Sequence, residues 1–534
     1  MTDAKTRIEI YDTTLRDGTQ GEGVSLSLQD KLLIANALDE LGVDYIEGGY
    51  PLSNAKDEAF FQQAAKKRYR NARIAAFGMT RRKGCKAADD VGMRSLLDSQ
   101  APVVTIVGKS WNMHIREVLA VSEQENLDMI AESVALMVKE GRQAIFDAEH
   151  FFDGWQADAD CALASLRVAV QAGASSLVLC DTNGGSLAEQ IAQAVQAVRA
   201  ALPQARLGVH CHNDSGLAVA NTLAAVRCGC THVQGTINGI GERCGNADLT
   251  AVIPNLVLKY GYDALQGGTL AKLTETSRYV YEVANLNLRD NQPFVGASAF
   301  AHKGGMHVHA VQRNVATYEH IDPAAIGNAR RILISELSGV SNIVATAGAK
   351  FGIEKDKDAQ RKILKAVMDH ENQGYQFEAA EASFEVLVRK TLGGKWYRKL
   401  WELDHYRCII LKHDGDNAIT EASVKIAMDG QSVHTVAEGD GPVNSLHKAM
   451  CAALRPKYGI VDDLHLADYK VRVVNTAAET AAKVRVVIDW HDPVAGAYFG
   501  SVGVSTNIID ASWLALTDAI EYKLLTSTNK TVNS

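Results

Sequence analysis

The sequence has little proline, no paired cysteines and no long apolar run, and each shortage excludes a class of protein. Nine prolines stand against 43 glycines in 534 residues, which indicates many regular elements joined by tight turns. The nine cysteines are scattered and none forms a C-x-x-C pair, so reduced thiols in a cytoplasmic protein are expected instead of a disulfide framework. No apolar run approaches the roughly 18 residues of a membrane span, and no apolar stretch follows the polar start, so neither a membrane segment nor a signal peptide is expected.

The charge balance is mildly acidic. Lys and Arg number 55 and Asp and Glu 63, which gives a formal net charge of −8. Such a chain is a poor candidate for broad nucleic-acid binding. The fractions of hydrophobic residues (47%) and charged residues (22%) are those of globular proteins and argue against disorder. The composition therefore leaves a soluble, cytoplasmic, multidomain protein, and we expect an enzyme.

Short β-rich runs alternate with amphipathic helical stretches through the first half of the chain. The predicted strands cover residues 8–11, 44–47, 73–77, 103–107, 143–147, 177–180, 206–211 and 232–236. Eight strand–helix units in about 260 residues are the expectation for a closed (β/α)8 barrel of the α/β class. The alternative is a doubly wound open sheet, but no G-x-G-x-x-G follows the first strand.

The second half of the chain has a different pattern. Helices and loops dominate up to about residue 376, and strands are then predicted at 382–389, 407–413 and 422–427, followed by a helix at 441–454. The order recurs as strands at 470–475, 483–489 and 497–504 and a helix at 508–525, which indicates an internal duplication. We therefore predict a catalytic barrel (1–265), a helical linker subdomain (266–376) and a C-terminal α+β regulatory domain (377–534).

The strongest local signal is the run H-C-H-N-D, which begins at His210. Because side chains alternate along a strand, His210 and His212 point to one side while Cys211 points to the other. Two imidazoles on one side of a barrel strand, at its C-terminal end, are good metal ligands. The alternative is a pair of hydrogen-bonded polar residues with no metal.

Two other strand ends carry groups that favour a metal site. The first loop contains Asp17, and the loop after the eighth strand contains Asn246, so a carboxylate and an amide oxygen are available beside the imidazoles. Such a set leaves positions open for substrate and suits a divalent cation that acts as a Lewis acid. Arg16, beside Asp17, is placed to hold a substrate carboxylate through two hydrogen bonds. The alternative for Arg16 is a buried structural pair with Asp17.

Several separated motifs, in the same order along nearly the whole chain, give the sequence a specific resemblance. They are D-T-T-L-R-D-G from Asp12, H-C-H-N-D from His210, G-x-G-E-R-x-G-N up to Asn246, and the duplicated C-terminal domain. The chain resembles the 2-isopropylmalate/homocitrate/citramalate synthase family, metal-dependent barrels grouped with HMG-CoA lyase. The stretches 47–57, 108–111 and 146–154 are similar to the citramalate synthase branch of that family.

The resemblance implies the ligands of a metal centre and the residue that binds the 2-oxo acid. Asp17, His210 and His212 match the family's metal ligands, and Asn246 matches a neighbouring or fourth ligand. Arg16 matches the residue that holds the 2-oxo acid. The cation is expected to be Mn²⁺, Mg²⁺, Zn²⁺ or Co²⁺, because this mixed oxygen and imidazole set suits all four.

The resemblance also implies residues for the acyl chemistry. Glu149 matches an acidic residue near the acetyl group, and Thr182 a substrate-contacting threonine. His307 and Tyr318 match residues on a segment that the family exchanges over the partner's active site, which implies a homodimer. Asp147 departs from the pattern, because it stands where some citramalate synthases have an aromatic that narrows the pocket.

Each of these residues has a simpler alternative role. Glu149 would merely pair with a lysine or arginine at the rim. Thr182 would cap the helix that follows it. His307 and His309 would be two surface imidazoles on a loop, and His302 is close enough in sequence to exchange roles with His307.

The activity implied by the resemblance is acyl transfer from acetyl-CoA to a short 2-oxo acid, with pyruvate the first candidate. Glu149 and His307 are the candidates for the acid–base work, and which of them is the base stays open. The C-terminal domain resembles a regulatory domain that binds an end-product amino acid, here isoleucine. Its candidate effector loops are residues 438–444 and 503–510, which precede helix N-termini. The alternatives are a 2-isopropylmalate synthase that uses 2-oxoisovalerate and, from another class, a lyase like HMG-CoA lyase.

Overall fold

The computed structural model of the chain describes residues 5–333, 340–414, 417–474 and 481–527. Its first part is a closed barrel of eight parallel strands in chain order, in which the first strand pairs with the eighth. The strands are β1 (Glu9–Asp12), β2 (Tyr45–Gly49), β3 (Arg73–Met79), β4 (Val103–Lys109), β5 (Gln143–Glu149), β6 (Ser176–Asp181), β7 (Leu207–Cys211) and β8 (His232–Gly235). The predicted (β/α)8 barrel is confirmed, and every strand ends within two residues of its predicted position.

Helices surround the barrel and begin at the caps that the sequence provides. Ser27 and Asp30 form a reciprocal capping box, and the chain leaves that helix through Gly42 at φ 96°. The apolar faces of the helices pack against the outside of the strands in one continuous core. The helices of this part are Leu28–Leu41, Ala55–Ala64, Val91–Asp98, Glu123–Lys139, Phe151–Ala157, Ala159–Gln171, Ala188–Ala201, Ala218–Arg227, Leu249–Pro254 and Leu273–Val283.

Alternate residues of the strands fill the inside of the barrel. The apolar middle of this interior consists of Tyr11, Tyr45, Ala75, Val103, Ile145, Val178 and Cys180. Because side chains alternate with a period of two, the same parity carries polar residues to the C-terminal end of the interior. Those residues are Glu47, Asp147, Glu149, His210 and Gln234. The face where barrel enzymes place their chemistry is therefore lined by ionisable groups.

A separate polar ring closes the N-terminal end of the barrel. Arg206 Nη2 lies 2.8 Å from Glu9 Oε1, and His232 is fully buried between the rings of Tyr11 and Tyr45. Burial opposes the ionisation of Glu9, but the neighbouring His232 imidazole and the Arg206 guanidinium lower its pKa to about 2. Groups at this end of a barrel serve stability rather than catalysis.

The chain divides into two compact units, and the barrel unit contains the described residues up to Phe300 together with Ile321–Ala329. The second unit contains Ala301–His320 and the described residues from Arg330 onward. Its helices are Gly305–Arg313, Val340–Ile343, Ala349–Phe351, Lys357–Glu371, Glu381–Leu392, Pro442–Leu454 and Ile508–Ser527. Two-residue strands also occur at Ala301–His302 and Arg331–Ile332.

The predicted duplication near the C-terminal end of the chain is present. A three-stranded antiparallel sheet (Glu402–Leu411, Ile419–Met428, Gln431–Gly439) precedes the helix Pro442–Leu454. A second sheet (His465–Val473, Val484–Asp492, Ala497–Ser505) precedes the helix Ile508–Ser527. The two modules share one apolar core, so this part is an α+β domain as predicted. Residue 475, the last of one predicted strand, lies outside the described residues.

The strand predicted at 382–389 is wrong, because these residues belong to the helix Glu381–Leu392. A short run rich in apolar residues fits a buried strand and a buried helix equally well by its pattern. Tertiary packing decides for the helix, since Phe384 and Val388 lie one turn apart in the same apolar cluster. Arg389 Nη2 also lies 2.7 Å from Glu385 Oε1, an ion pair at the helical spacing of four residues.

The described helices include none that is both long enough and apolar enough to cross a membrane.

Candidate metal centre and active site

Three buried side chains converge at the C-terminal end of the barrel. Asp17 comes from the loop after β1, and His210 and His212 from the end of β7; their ligand atoms all lie within 4.8 Å of one another. His210 Nε2 lies 3.3 Å from His212 Nε2 and 3.5 Å from Asp17 Oδ2. Two imidazole nitrogens and a carboxylate oxygen in this arrangement fit a divalent cation.

Asn246 lies beside this cluster. Its Nδ2 donates a hydrogen bond to Asp17 Oδ1 at 3.1 Å, and a backbone bridge joins it to His212. Asn246 Oδ1 is buried and has no hydrogen-bond partner among the described residues, so an oxygen donor is left over where a cation would use one. Gly241 makes this approach possible, since a Cβ there would lie 2.1 Å from Asn246 Nδ2 and its φ is +154°.

The protonation states of these groups suit metal binding. Burial opposes the ionisation of Asp17, but the charges of Arg16, His210 and His212 lower its pKa to about 2. Burial and the neighbouring charge of His210 lower the pKa of His212 to about 4. At neutral pH the carboxylate is therefore ionised and the His212 imidazole neutral, as a cation requires of its ligands.

A buried hydrogen-bond chain orients His210 from behind. Gln234 belongs to β8. Its Oε1 is 2.8 Å from His210 Nδ1, and its Nε2 donates a hydrogen bond to Asp147 Oδ1 at 3.0 Å. Gln234 Oε1 can only accept, so Nδ1 carries the proton and the Nε2 lone pair faces the cluster. Asp147 is buried in the barrel interior, and burial together with the Glu47 charge raises its pKa well above the usual range.

Loss of the Gln234 support should weaken metal binding. We expect Gln234→Leu to reduce metal affinity about 10- to 100-fold, because His210 loses the acceptor that fixes its tautomer. Titration of the metal-stripped protein with Mn²⁺ measures this affinity directly. Gln143→Leu is the matched control, since Gln143 lies at the N-terminal end of the barrel, where it bonds Tyr45. Equal Mn²⁺ affinity in the two variants would contradict the orienting role.

Arg16 is fixed from three sides. Its Nε donates to Glu47 Oε2 at 2.7 Å, its Nη1 donates to Asp17 Oδ2 at 2.9 Å, and the guanidinium lies 4.0 Å from the centre of the Phe77 ring. The structural pair with Asp17 that the sequence left open is thus present. Nη2 has no hydrogen-bond partner among the described residues, so one edge of the guanidinium is left for a ligand.

Glu47 is the central residue that the sequence analysis passed over. It is fully buried at the end of β2, where Tyr11 donates to its Oε1 at 2.7 Å and Thr13 and Arg16 donate to its Oε2. A buried carboxylate with three donors is stable in the interior, and it holds Arg16 in one position. The signal was available, since a carboxylate at the end of an otherwise apolar strand needs a partner.

The loop after β2 is held by a second buried pair. Lys31 contacts Asp57 and also donates to the carbonyl oxygen of Gly48 at 3.0 Å. Gly49 is required there, because a Cβ would lie 2.4 Å from Asp57 Oδ2 and its φ is +140°. Asp57 therefore holds the backbone of the loop that directly follows Glu47.

Glu149 lies at the end of β5 and is paired with Lys109. The two residues are direct neighbours in the parallel register of β4 and β5, and their side chains form an ion pair. The simpler alternative, a pair with a rim lysine, is therefore present. The side chain of Glu149 is 25% exposed against 11% for Lys109, so the carboxylate remains accessible at the barrel mouth.

Thr182 is tied to the backbone next to Glu149. Its Oγ1 accepts a hydrogen bond from the His150 backbone N–H at 2.9 Å, and His150 has a left-handed φ of 54°. Thr182 does not cap the following helix, whose N-cap is Leu187, so that alternative is wrong. The rings of Trp111 and His114 pack beside the His150 ring, a rim cluster that the sequence analysis did not single out.

His307 and Tyr318 belong to the second unit. Their rings are stacked with centroids 4.1 Å apart, so the structure brings these two predicted residues together. His307 and His309 lie on the helix Gly305–Arg313 rather than on a loop. His302 is buried and lies 3.0 Å from Glu319, whereas His307 is exposed, so the two histidines have different environments.

Comparisons with known proteins agree with this architecture. The HMGL-like family matches residues 7–280, the homocitrate synthase post-HMGL domain-like family residues 294–374, and the LeuA allosteric (dimerisation) domain residues 378–524. The chain is 47% identical to the (R)-citramalate synthase of Aquifex aeolicus over 97% of this chain and 98% of that one. It is 49% identical to that of Synechocystis sp. over 98% and 97%. It is 30% identical to the 2-isopropylmalate synthase of Methanocaldococcus jannaschii over 98% and 96%.

The barrel, its candidate metal centre and the HMGL-like match define an enzyme of the acyltransferase type. Within that class the chain belongs to the (R)-citramalate synthase family. The resemblance found in the sequence motifs is thereby confirmed.

Proposed function

We propose that the enzyme condenses acetyl-CoA with pyruvate and water to give (R)-citramalate and CoA. The observation that carries this proposal is the guanidinium of Arg16 lying directly beside the Asp17, His210 and His212 donor set. A divalent cation held by this donor set would lie beside the fixed positive charge of Arg16, which suits a substrate whose ketone is next to its carboxylate. The names of the near full-length relatives support the same reaction.

In this reaction the acetyl methyl group loses a proton, its carbon bonds to the ketone carbon, and the ketone oxygen gains a proton. Water then cleaves the thioester and CoA leaves as the thiol. Asp17, His210 and His212, with Asn246, would hold a divalent metal, which would polarise the ketone when bound. Arg16 binds the pyruvate carboxylate and fixes the face of the ketone that is attacked.

Glu149 and His307 are the proposed acid–base residues. Glu149 at the barrel mouth is proposed to take part in proton transfer at the acetyl group, and Lys109 holds its carboxylate in place. Thr182 contacts the substrate from the neighbouring strand end. His307 and Tyr318 are proposed to complete the site of a second copy in a homodimer, with Glu149 and His307 sharing the proton transfers.

The C-terminal part is proposed to regulate the enzyme. The match to an allosteric domain supports a regulatory domain over 377–534, after a barrel over 1–265 and a helical linker over 266–376. Isoleucine is the proposed effector, bound near residues 438–444 and 503–510 at the starts of the helices Pro442–Leu454 and Ile508–Ser527. All nine cysteines are free thiols, which supports a cytoplasmic enzyme.

One assay tests the proposed substrate. We expect CoA release from acetyl-CoA to be fastest with pyruvate when 2-oxobutyrate, 2-oxoisovalerate and 2-oxoglutarate are compared in parallel. 2-Oxoisovalerate is larger than pyruvate by two methyl groups, so a preference of roughly 10- to 200-fold is expected over this branched acid. Isoleucine should inhibit this reaction and leucine should not. Preference for 2-oxoisovalerate would instead favour a 2-isopropylmalate synthase, the activity named for the Methanocaldococcus relative.

A further inference from the structure

The segment 66–73, which leads from the helix Ala55–Ala64 into β3, is an exposed basic cluster. Five of its eight residues are basic, in a chain whose formal net charge is −8. None of the five forms an ion pair with a carboxylate of the described residues. Basic groups without a counter-charge, grouped on an acidic protein, attract anionic ligands. The five exposed residues are Lys66, Lys67, Arg68, Arg70 and Arg73.

Asp39 holds the backbone of this basic cluster in one conformation. Its carboxylate accepts hydrogen bonds from the backbone N–H groups of Arg70, Asn71 and Ala72, at 2.9, 2.8 and 2.8 Å. Asn71 also donates from its side-chain Nδ2 to the carbonyl oxygen of Asp39 at 2.8 Å. Because the carboxylate is occupied by three backbone donors, it fixes the loop and pairs with no basic side chain of the cluster.

The basic side chains that form hydrogen bonds have neutral partners. Lys67 bonds the side-chain amide oxygen of Asn36. Arg73 donates from Nη1 to Gln143 Oε1 and from Nη2 to the Tyr45 hydroxyl, each at 2.6 Å. These bonds fix the direction of both side chains and leave their positive charges uncompensated. Cations held in this way are pre-organised for phosphate, which they bind through charge-assisted hydrogen bonds.

A cavity of about 310 Å³ lies among these residues, and no acidic residue lines it. Lys67, Arg68 and Arg73 line it and are all exposed. Tyr69 also lines it, and the hydroxyl of Tyr69 is buried with no hydrogen-bond partner among the described residues. A buried polar atom of this kind needs a partner, which a ligand in the cavity would supply. The apolar part of the lining consists of Phe61, Ala64, Ala65, Ala72, Ile74, Ala101 and Pro102.

The cavity lies at the N-terminal end of the barrel, away from the candidate metal centre. Arg73 and Ile74 are the first two residues of β3, and Pro102 directly precedes β4. The candidate metal ligands lie at the opposite end of the barrel. Since β3 has seven residues and rises about 3.3 Å per residue, roughly 20 Å separate its two ends. A ligand in this cavity is therefore not a reactant in the chemistry of the barrel.

We propose that this cavity binds a nucleoside phosphate. The base covers the apolar lining beside Phe61 and Ile74, the phosphates lie at Lys67 and Arg68, and the Tyr69 hydroxyl bonds the ligand. Inorganic phosphate would leave the apolar lining uncovered, and an amino acid would bring a single carboxylate to several cations. The site is independent of the proposed reaction, because neither the substrates nor a metal is needed to fill it.

Calorimetric titration of the full-length protein with ADP, GDP and UDP tests this site. CoA is kept at a saturating concentration, because it contains an ADP group and any site that takes CoA must be blocked. At least one of the nucleotides should bind, and inorganic phosphate and the matching nucleoside should bind about tenfold or more weakly.

Two variants and a matched control locate the bound nucleotide. Arg68→Glu should raise its Kd about tenfold, because a repulsive charge replaces an attractive one. Tyr69→Phe, which removes only the hydroxyl, should raise the Kd about three- to tenfold, the effect of one lost hydrogen bond. Arg167→Glu is the control and should leave the Kd unchanged, since Arg167 is an exposed arginine on the helix Ala159–Gln171, which precedes β6.

Four outcomes would overturn the proposal. The first is that none of the three nucleotides binds. The second is that inorganic phosphate binds as tightly as the nucleotide, which would leave a small-anion site only. The third is that Arg68→Glu and Arg167→Glu have equal effects, which would place the nucleotide elsewhere. The fourth is that an RNA oligonucleotide binds more tightly than any mononucleotide and loses its affinity in Arg68→Glu, which would make the cluster a nucleic-acid surface.

Discussion

Replacement of His210 by alanine should abolish condensation and remove bound metal while the barrel stays folded. His210 supplies the nitrogen nearest to both other ligands, at 3.3 Å from His212 Nε2 and 3.5 Å from Asp17 Oδ2. Without it a three-residue set loses one member and the cation loses its fixed position. Since loss of one preorganised electrostatic contact alone lowers rates by 10²- to 10³-fold, we expect turnover to fall by roughly a thousandfold or more. Asp17→Ala should behave in the same way.

Three measurements check this expectation together: turnover, metal content per chain and the thermal unfolding midpoint. His434→Ala is the control, because His434 is an exposed histidine on a C-terminal strand and carries no metal role. The variant should keep its turnover and its metal. Full activity of the parent enzyme in chelator-treated, metal-free buffer would rule out the proposed metal role, whatever the variants do.

Arg16→Lys should be the second most damaging change. A lysine keeps the charge, but its single ammonium cannot bond Glu47 and Asp17 at once and still offer an edge to a substrate carboxylate. Turnover should therefore fall about 10²- to 10³-fold, and the KM of the variant for pyruvate should be higher than that of the parent enzyme. Steady-state kinetics with pyruvate as the varied substrate measure both effects. The metal content should change little, because Arg16 is not a ligand.

The matched control for this change is Arg206→Lys. Arg206 also forms an ion pair with a carboxylate, Glu9, but at the N-terminal end of the barrel. It should alter thermal stability and leave the KM for pyruvate unchanged. If Arg16→Lys gave the same kinetics as Arg206→Lys, the pair between Arg16 and Asp17 would be structural only, which is the alternative that the sequence left open.

The pattern of the sequence predicted the barrel strands closely because that signal is local. Each strand is a short apolar run bounded by helix caps and turns, and its position does not depend on distant residues. The segment 381–392 shows where this reasoning fails. A short run rich in apolar residues fits a strand or a helix, and only the neighbours it packs against decide between them.

The convergence of the candidate ligands follows from the sequence for a similar reason. His210 and His212 share one side of a strand by simple alternation, and Asp17 and Asn246 stand at strand ends that a closed barrel must bring to one rim. The supporting residues were not predicted. Nothing in the sequence distinguishes Gln234 from other glutamines. It gains a role only because β8 lies beside β7, which brings the Oε1 of Gln234 to His210.

The sequence by itself determined the fold class, the order of the strands and the groups available for a metal and a carboxylate. The tertiary structure decided which partners those groups have: Glu47 and Asp17 around Arg16, Lys109 beside Glu149, and Gln234 behind His210. The physical reason is that a buried charge is stable only with partners, and in a barrel those partners come from neighbouring strands that are far apart in the chain. Local patterns therefore identify the ionisable groups, and closure of the barrel determines which partners they have and how they are oriented.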